Sequence, residues 1–228
     1  GTGASNTSNT ASATYTSSSM AASSCTPTFS SASASCSSYF MWTKITGISG
    51  GSSFNDVTAC NGTGYENLTS TYNCTLNAAT TYTVTAGTGT SYYSSHGAQI
   101  YIDFNNNGTF VSSESVGGCL TGAFNTLVGA NYEAKIPITI PSGVPSGQFR
   151  MRIVGGYSPP SPYPNMNPCG GVTYGDIRDY TVNILGSAPL CSGTPKGGIV
   201  SAAPISSCNT FTPALFNVGE TDMNGITY

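Results

Sequence analysis

The chain has 228 residues, of which 7% are charged, with a formal net charge of −3 and a pI near 4.8. Such a balance leaves no basic stripe for nucleic acid, and no apolar run reaches the roughly 18 residues that a membrane-spanning helix needs. The length allows one generous β-sandwich plus a small extra segment.

Residues 1–24 carry no charged side chain and almost no large apolar one. Serine, threonine, alanine and asparagine recur there with neither helical nor strand period. The start, Gly1-Thr2-Gly3-Ala4-Ser5, reads as a mature end after processing. A segment of this kind cannot offset its own ordering entropy and is expected to be an extended arm. It is ordered either by a neighbouring subunit or by packing on its own domain.

From Cys25 to about residue 186 the pattern is of short strands between turns. Thr81-Tyr82-Thr83-Val84-Thr85 alternates and is expected to end at Gly87-Thr88-Gly89. Gln99 to Phe104 alternates next, placing Ile100, Ile102 and Phe104 on one face. Tyr132, Ala134, Ile136, Ile138 and Ile140 mark a further strand, in which Pro137 predicts an edge or a bulge. Phe149, Met151 and Ile153 share a face opposite Arg150 and Arg152, and Tyr180, Val182 and Ile184 form the last strand. The expected fold is an all-β, antiparallel β-sandwich, with the N-terminal arm before it. After Gly186 the character shifts. Residues 187–228, with Cys191 and Cys208, read as the opening strands of an Ig-like unit too short to stand alone.

Between these strands lies the stretch richest in chemistry. Asp103, Asn105, Asn107 and Glu114, with Gly108 at the bend and Thr109 at the seventh position, fit the calcium-loop spacing D-x-[DN]-x-[DN]-G-x5-E. A hard cation needs several oxygens converging on one point, and this spacing supplies them on a β-sheet rather than between helices. With two charged ligands and Val111 at the ninth position, affinity should be weak, on the order of 10⁻⁴ to 10⁻³ M, and the Ca²⁺ structural. The competing interpretation is a hairpin, since Asn107-Gly108 is a common two-residue turn.

Eight cysteines are present, at 25, 36, 60, 74, 119, 169, 191 and 208. None forms C-x-x-C and the single histidine, His96, has no cysteine beside it, so disulfides in an oxidising compartment are favoured over zinc. Chain order suggests Cys119 with Cys169 and Cys191 with Cys208; Cys25, Cys36, Cys60 and Cys74 allow three pairings.

Three motifs in order resemble the GEVED-type domain of secreted proteins from Bacteroidota-like bacteria. They are the strand and loop Ile100 to Phe110, Gly147-Gln148-Phe149-Arg150-Met151-Arg152-Ile153, and Gly175-Asp176-Ile177-Arg178-Asp179-Tyr180-Thr181-Val182 at the naming motif. The resemblance covers about residues 95–186 and implies a non-catalytic module of secreted peptidases, adhesins and surface proteins. Arg178 stands where the family has its second Glu. Asp176 and Asp179 remain as additional metal ligands in this comparison, unless Asp179 instead pairs with Arg150 or Arg152.

For function, His96 in a Ser/Gly loop reads as solvated, and no G-x-S-x-G elbow accompanies it, so the chain is expected not to be an enzyme. The composition, arm and disulfides fit an extracellular or cell-surface structural subunit that self-associates into a homopolymer through β-strand contacts. The alternative is a polysaccharide-binding or adhesin module, with Tyr157 and Tyr163 stacking on sugar rings from a proline-rich loop. Sequons at Asn6, Asn61, Asn67, Asn73 and Asn107 are read as coincidences of an Asn/Thr-rich composition.

Overall fold

A computed structural model of the chain describes residues 19–27, 44–49, 51–58, 61–89, 93–157, 166–170 and 174–186. The expectations for residues 1–18, for the Ig-like segment 187–228, and for Cys36, Cys60, Cys191, Cys208 and Tyr163 fall outside them. In chain order the described strands are β1 (Lys44–Ser49), β2 (Asn55–Asp56), β3 (Tyr65–Asn67), β4 (Asn73–Asn77), β5 (Thr81–Thr88) and β6 (His96–Ile102). They continue with β7 (Ser115–Cys119), β8 (Thr126–Val128), β9 (Asn131–Thr139), β10 (Gly147–Tyr157) and β11 (Gly175–Leu185). Two single 3₁₀ turns, Tyr93–Ser95 and Ser112–Glu114, are the helical elements among the described residues.

The strands form two sheets, one in the order β2-β1-β5-β9-β8, the other in the order β3-β11-β10-β6-β7 with β4 also on β11. Alternating apolar residues from both sheets meet between them. Leu76, Tyr82, Val84, Ile100, Ile102, Ile136, Ile138, Phe149, Met151, Val182 and Ile184 are all buried in this one core. An all-β sandwich is therefore the fold, as the period-two pattern predicts. Antiparallel pairing dominates, with one departure: β3 and β4 both run parallel to β11. β11 follows β4 only after the chain has passed twice between the two sheets, through β5 and then through β8 and β9, so no hairpin dictates that direction.

Local departures have local causes. β5 ends at Thr88, inside the Gly87-Thr88-Gly89 stretch expected to close it, with Gly87 and Thr88 still paired to Glu133 and Tyr132. Pro137 sits in β9 opposite Thr83, but β8 covers β9 only at residues 131–133. At Pro137 the strand is thus an edge, where a missing N–H leaves no partner unsatisfied. His96 is not a solvated loop residue. It opens β6 opposite Tyr157, is fully buried, and meets the rings of Phe124 and Tyr157 edge-on.

The outer face of the six-stranded sheet is covered as well. Tyr101, Phe110, Val154, Met166 and Ile177 form a second, smaller core there, joined by Cys25, Tyr65 and Cys169. Arg150 and Arg152 lie on that face, 4% and 0% exposed, beneath residues 19–25.

Candidate functional site

β6 ends at Ile102, and the next residue, Asp103, turns its carboxylate into the loop that follows. Asp103 Oδ1 accepts the Asn107 N–H at 3.1 Å and Oδ2 the Gly108 N–H at 2.8 Å. The Asn107 N–H is shared with Asn105 Oδ1 at 3.0 Å, and Asn107 Oδ1 accepts from the Thr109 N–H at 2.8 Å and hydroxyl at 2.6 Å. Glu114, 5% exposed, closes the loop by accepting the Val111 N–H at 3.1 Å on Oε2. Its other oxygen lies 3.5 Å from the Asn105 nitrogen. The tight course puts Asn106 and Gly108 at positive φ, 54° and 82°.

Asp103, Asn105, Asn107 and Glu114 are thus gathered in one loop. Burial pushes the Glu114 carboxyl above its usual range, the Val111 and Asn105 N–H groups pull it back, and the Asp103 charge adds to the rise. In donor chemistry the loop fits a hard cation: the groups are oxygens, and two carboxylates repel one another where a divalent ion would relieve them. Among the described residues no three Asp, Glu, His or Cys side chains form a metal-sized group, so the asparagine amides would complete the set.

Asp179 and Asp176 meet guanidinium groups instead. Asp179, on β11, takes Arg152 through both oxygens, at 2.6 and 2.8 Å, and Arg150 at 3.2 Å. The Tyr65 hydroxyl adds a donor at 2.8 Å, and burial, followed by the Asp179 charge, pushes that phenol up to about 12. Arg152 is further clasped by the faces of Tyr65 and Phe110, with ring centroids 5.3 and 4.6 Å away. This is the ion pair foreseen between Asp179 and the β10 arginines, fully buried.

Residues 19–25, the end of the predicted arm, complete this face. Asn106 accepts the Ala21 N–H and donates to the Ser19 carbonyl, both at 2.7 Å, and the Ser24 N–H donates to the Gly108 carbonyl at 2.8 Å. Arg150 donates to the Ala21 carbonyl at 3.2 Å and Arg152 to those of Cys25 and Pro168, at 3.0 and 2.8 Å. Cys25 is disulfide-bonded to Cys169, with Cα atoms 5.3 Å apart. The suggested Cys119–Cys169 pair is therefore incorrect. Cys119 ends β7 at the sheet margin, packed against the main core, and the segment docked on the opposite face brings Cys25 to Cys169 instead. Cys74 and Cys119 are free thiols, which burial pushes up to about 12 and about 11.

β11 alternates, so Asp176 and Arg178 face the sandwich interior on the other side. There Arg178 donates to Asp176 at 2.9 Å, Asp56 at 2.7 Å and Glu66 at 3.4 Å. Thr58 supplies its hydroxyl and carbonyl, and the Tyr180 hydroxyl donates to Asp56 at 2.7 Å. Three carboxylates around one guanidinium leave excess negative charge. Burial, opposed by Arg178 and reinforced by Glu66, raises the Asp176 carboxyl to about 7. The sequence reading missed Asp56, Glu66 and Tyr180. Asp56-Val57-Thr58 does carry a local cue, an aspartate capping the N–H two residues on at 2.9 Å, but nothing in its spacing points to β11.

Tyr157 is 37% exposed at the end of β10 and meets Tyr174, equally exposed, edge-on at 6.3 Å. No described helix is long and apolar enough to cross a membrane. Among known families, the GEVED domain matches residues 97–183, a span running from β6 to β11 that contains the Asp103 loop and Asp179. β1 to β5 and residues 19–27 lie outside it. No curated protein matches the chain.

Proposed function

We propose that this chain, which carries an extracellular-type, non-catalytic GEVED domain over residues 97–183, is a structural subunit of an extracellular fibre or surface assembly. Subunits join through β-strand contacts, with disulfides and a weakly bound structural Ca²⁺ on the Asp103 loop holding each one rigid. The supporting observation is the open margin of the five-stranded sheet. β8 pairs, among the described residues, with β9 alone, and its Leu127 and Val128 are 57% and 40% exposed. The stretch 125–130 has no charge and no proline to discourage edge-to-edge pairing. An uncharged edge with apolar side chains in solvent is a template for another strand.

Calcium is supported by the loop's oxygen donors and its crowded carboxylates, and the ion would supply positive charge to Asp103 and Glu114, with Asn105 and Asn107 completing its shell. A disulfide and this domain type fit an extracellular protein. A second reading has its own observation, the exposed Tyr157–Tyr174 pair, which suits stacking on a polysaccharide.

Negative-stain microscopy and sedimentation of the full chain decide between them. The assembly reading expects fibres, and their loss in Leu127→Lys, a change at an exposed position that should leave stability within about 0.5 kcal/mol. A monomer that binds polysaccharide, and stops doing so in Tyr157→Ala, would replace this reading with the second one.

A further inference from the structure

Tyr93 opens the 3₁₀ turn that leads into β6, and Tyr132 is the second residue of β9. Their rings face each other at the margin of the sandwich, with centroids 3.5 Å apart and planes 8° from parallel. At that separation there is little room for an offset, so one ring lies over the other. Ring quadrupoles disfavour such a sandwich and set most aromatic pairs offset or edge-on, with centroids roughly 4.5–7 Å apart. The other tyrosine pairs among the described residues obey that preference. Tyr72 meets Tyr180 and Tyr157 meets Tyr174 at 6.3 Å, with planes 65° and 81° apart.

The stacked pair is held at its rim and from behind. The two hydroxyls share a hydrogen bond, which, with burial adding to it, raises the Tyr132 phenol above its ordinary value. Tyr132 is fixed in its strand between Thr88 of β5 and Leu127 of β8, and both rings pack against the main core. Both side chains are half-buried, so solvent still reaches them. With the planes parallel and the hydroxyls side by side, the rings point the same way. Each carbon ortho to a hydroxyl then stands over its counterpart at about van der Waals contact, on the order of 3.5–4 Å. That alignment matters for oxidation. In a phenoxyl radical the unpaired electron resides on the oxygen and on the ortho and para carbons. The para carbon carries the rest of the side chain, so coupling falls to the ortho carbons, which already touch.

We propose that Tyr93 and Tyr132 form an oxidative modification site, at which a one-electron oxidant such as a haem peroxidase joins the two rings as dityrosine within one chain. Each phenol gives up one electron and one proton. A carbon–carbon bond forms between the two ortho carbons, and the hydrogen on each of them passes to its phenol oxygen. Hydrogen peroxide takes up the two electrons and two protons and leaves as two waters. The new bond ties the turn before β6, in one sheet, to β9 in the other. It also closes residues 93–132 into a loop, which lowers the entropy of the unfolded chain. The site is independent of the assembly reading above.

The test exposes the folded full chain, as an equal mixture of ¹⁴N- and ¹⁵N-labelled copies, to a haem peroxidase with limiting hydrogen peroxide. Digests are read by mass spectrometry for a Tyr93 peptide joined to a Tyr132 peptide, two hydrogen atoms lighter than their sum. This pair should be the main dityrosine product and should carry a single label. Tyr93→Phe keeps the ring but removes the phenol, and should abolish most of the blue dityrosine fluorescence, while Tyr72→Phe leaves it. A product spread over many tyrosines, or one of mixed label, would overturn the proposal. A second arm replaces the enzyme with photo-oxidation by a ruthenium complex and persulfate, small oxidants that need no docking. A folded chain whose Tyr93 and Tyr132 stay unjoined in both arms would overturn it as well. Oxidation in denaturant is the last arm: the preference for this pair should vanish there, and its persistence counts against stacking as the cause.

Discussion

Asp103 shows how one carboxylate serves two purposes. Its oxygens hold the Asn107 and Gly108 N–H groups, so Asp103→Ala would weaken the loop with or without a cation, and is a poor probe of metal binding. Asn105 is the cleaner probe, being exposed and sharing a single N–H. At 10 mM calcium the expected weak affinity corresponds to a stabilisation of about 1.4 to 2.7 kcal/mol. Thermal melts of the full chain should show this rise, and Asn105→Ala should lose much of it. Identical melts with calcium and with chelator would remove the cation from the account. Asp176 makes a separate prediction about pH. Its folded carboxyl titrates at about 7 against an ordinary 3.8. Between about pH 4 and 7 the unfolded chain gives up this proton and the folded chain keeps it, so rising pH works against the native state. Relative to Asp176→Asn, the unmutated protein should lose up to about 4 kcal/mol across that window and nothing further above it. Denaturant melts at several pH values check this, and a flat difference would show that Asp176 is already ionised in the fold.

At the scale of elements, the strands were legible because period-two burial leaves a direct trace. Ile100 and Ile102, Phe149, Met151 and Ile153, and Tyr180, Val182 and Ile184 all face the core in the register their alternation implies. Pro137 was legible for the same reason, as an interruption that only a locally open edge tolerates. What alternation does not encode is the partner of each face. Arg150 and Arg152 read as a polar, outward pair, yet they are buried by a segment more than a hundred residues away in sequence. The Cys25–Cys169 pairing was hidden by the same distance, since chain order favours nearby cysteines. Within the loop, spacing gathered Asp103, Asn105, Asn107 and Glu114 correctly, whereas Asp176 and Asp179 followed the guanidiniums that their strand neighbours present. The docking of residues 19–25 is open to a direct check at Gly108. Alanine there meets both a positive φ and the Ala22 carbonyl, a combination expected to cost roughly 1 kcal/mol or more. In Gly108→Ala, amide exchange of residues 19–25 should speed up at least tenfold while β9 and β10 stay protected. Unchanged exchange in residues 19–25 would mean that the disulfide and the arginines hold the segment without the loop.

At the scale of the whole molecule, the order of strands in space differs from their order in time. β11 is the last described strand to be synthesised, yet it lies inside its sheet, with β10 on one side and β3 and β4 on the other. Until residues 175–185 emerge, β3 and β4 have no ladder to join, and one margin of β10 stays open. Asp56 and Glu66 likewise wait for Arg178, and Tyr65 for Asp179. Such long-range parallel pairing makes folding slow and keeps unpaired edges in contact with solvent meanwhile. A chain ended at residue 174 should therefore aggregate on expression, while one ended at residue 186 should remain soluble, as a pelleting assay would report. A strand added last to the middle of a sheet also makes closure all-or-none. A chain of this design passes from a soft state to a rigid one in a single late step, once translation has delivered residues 175–185.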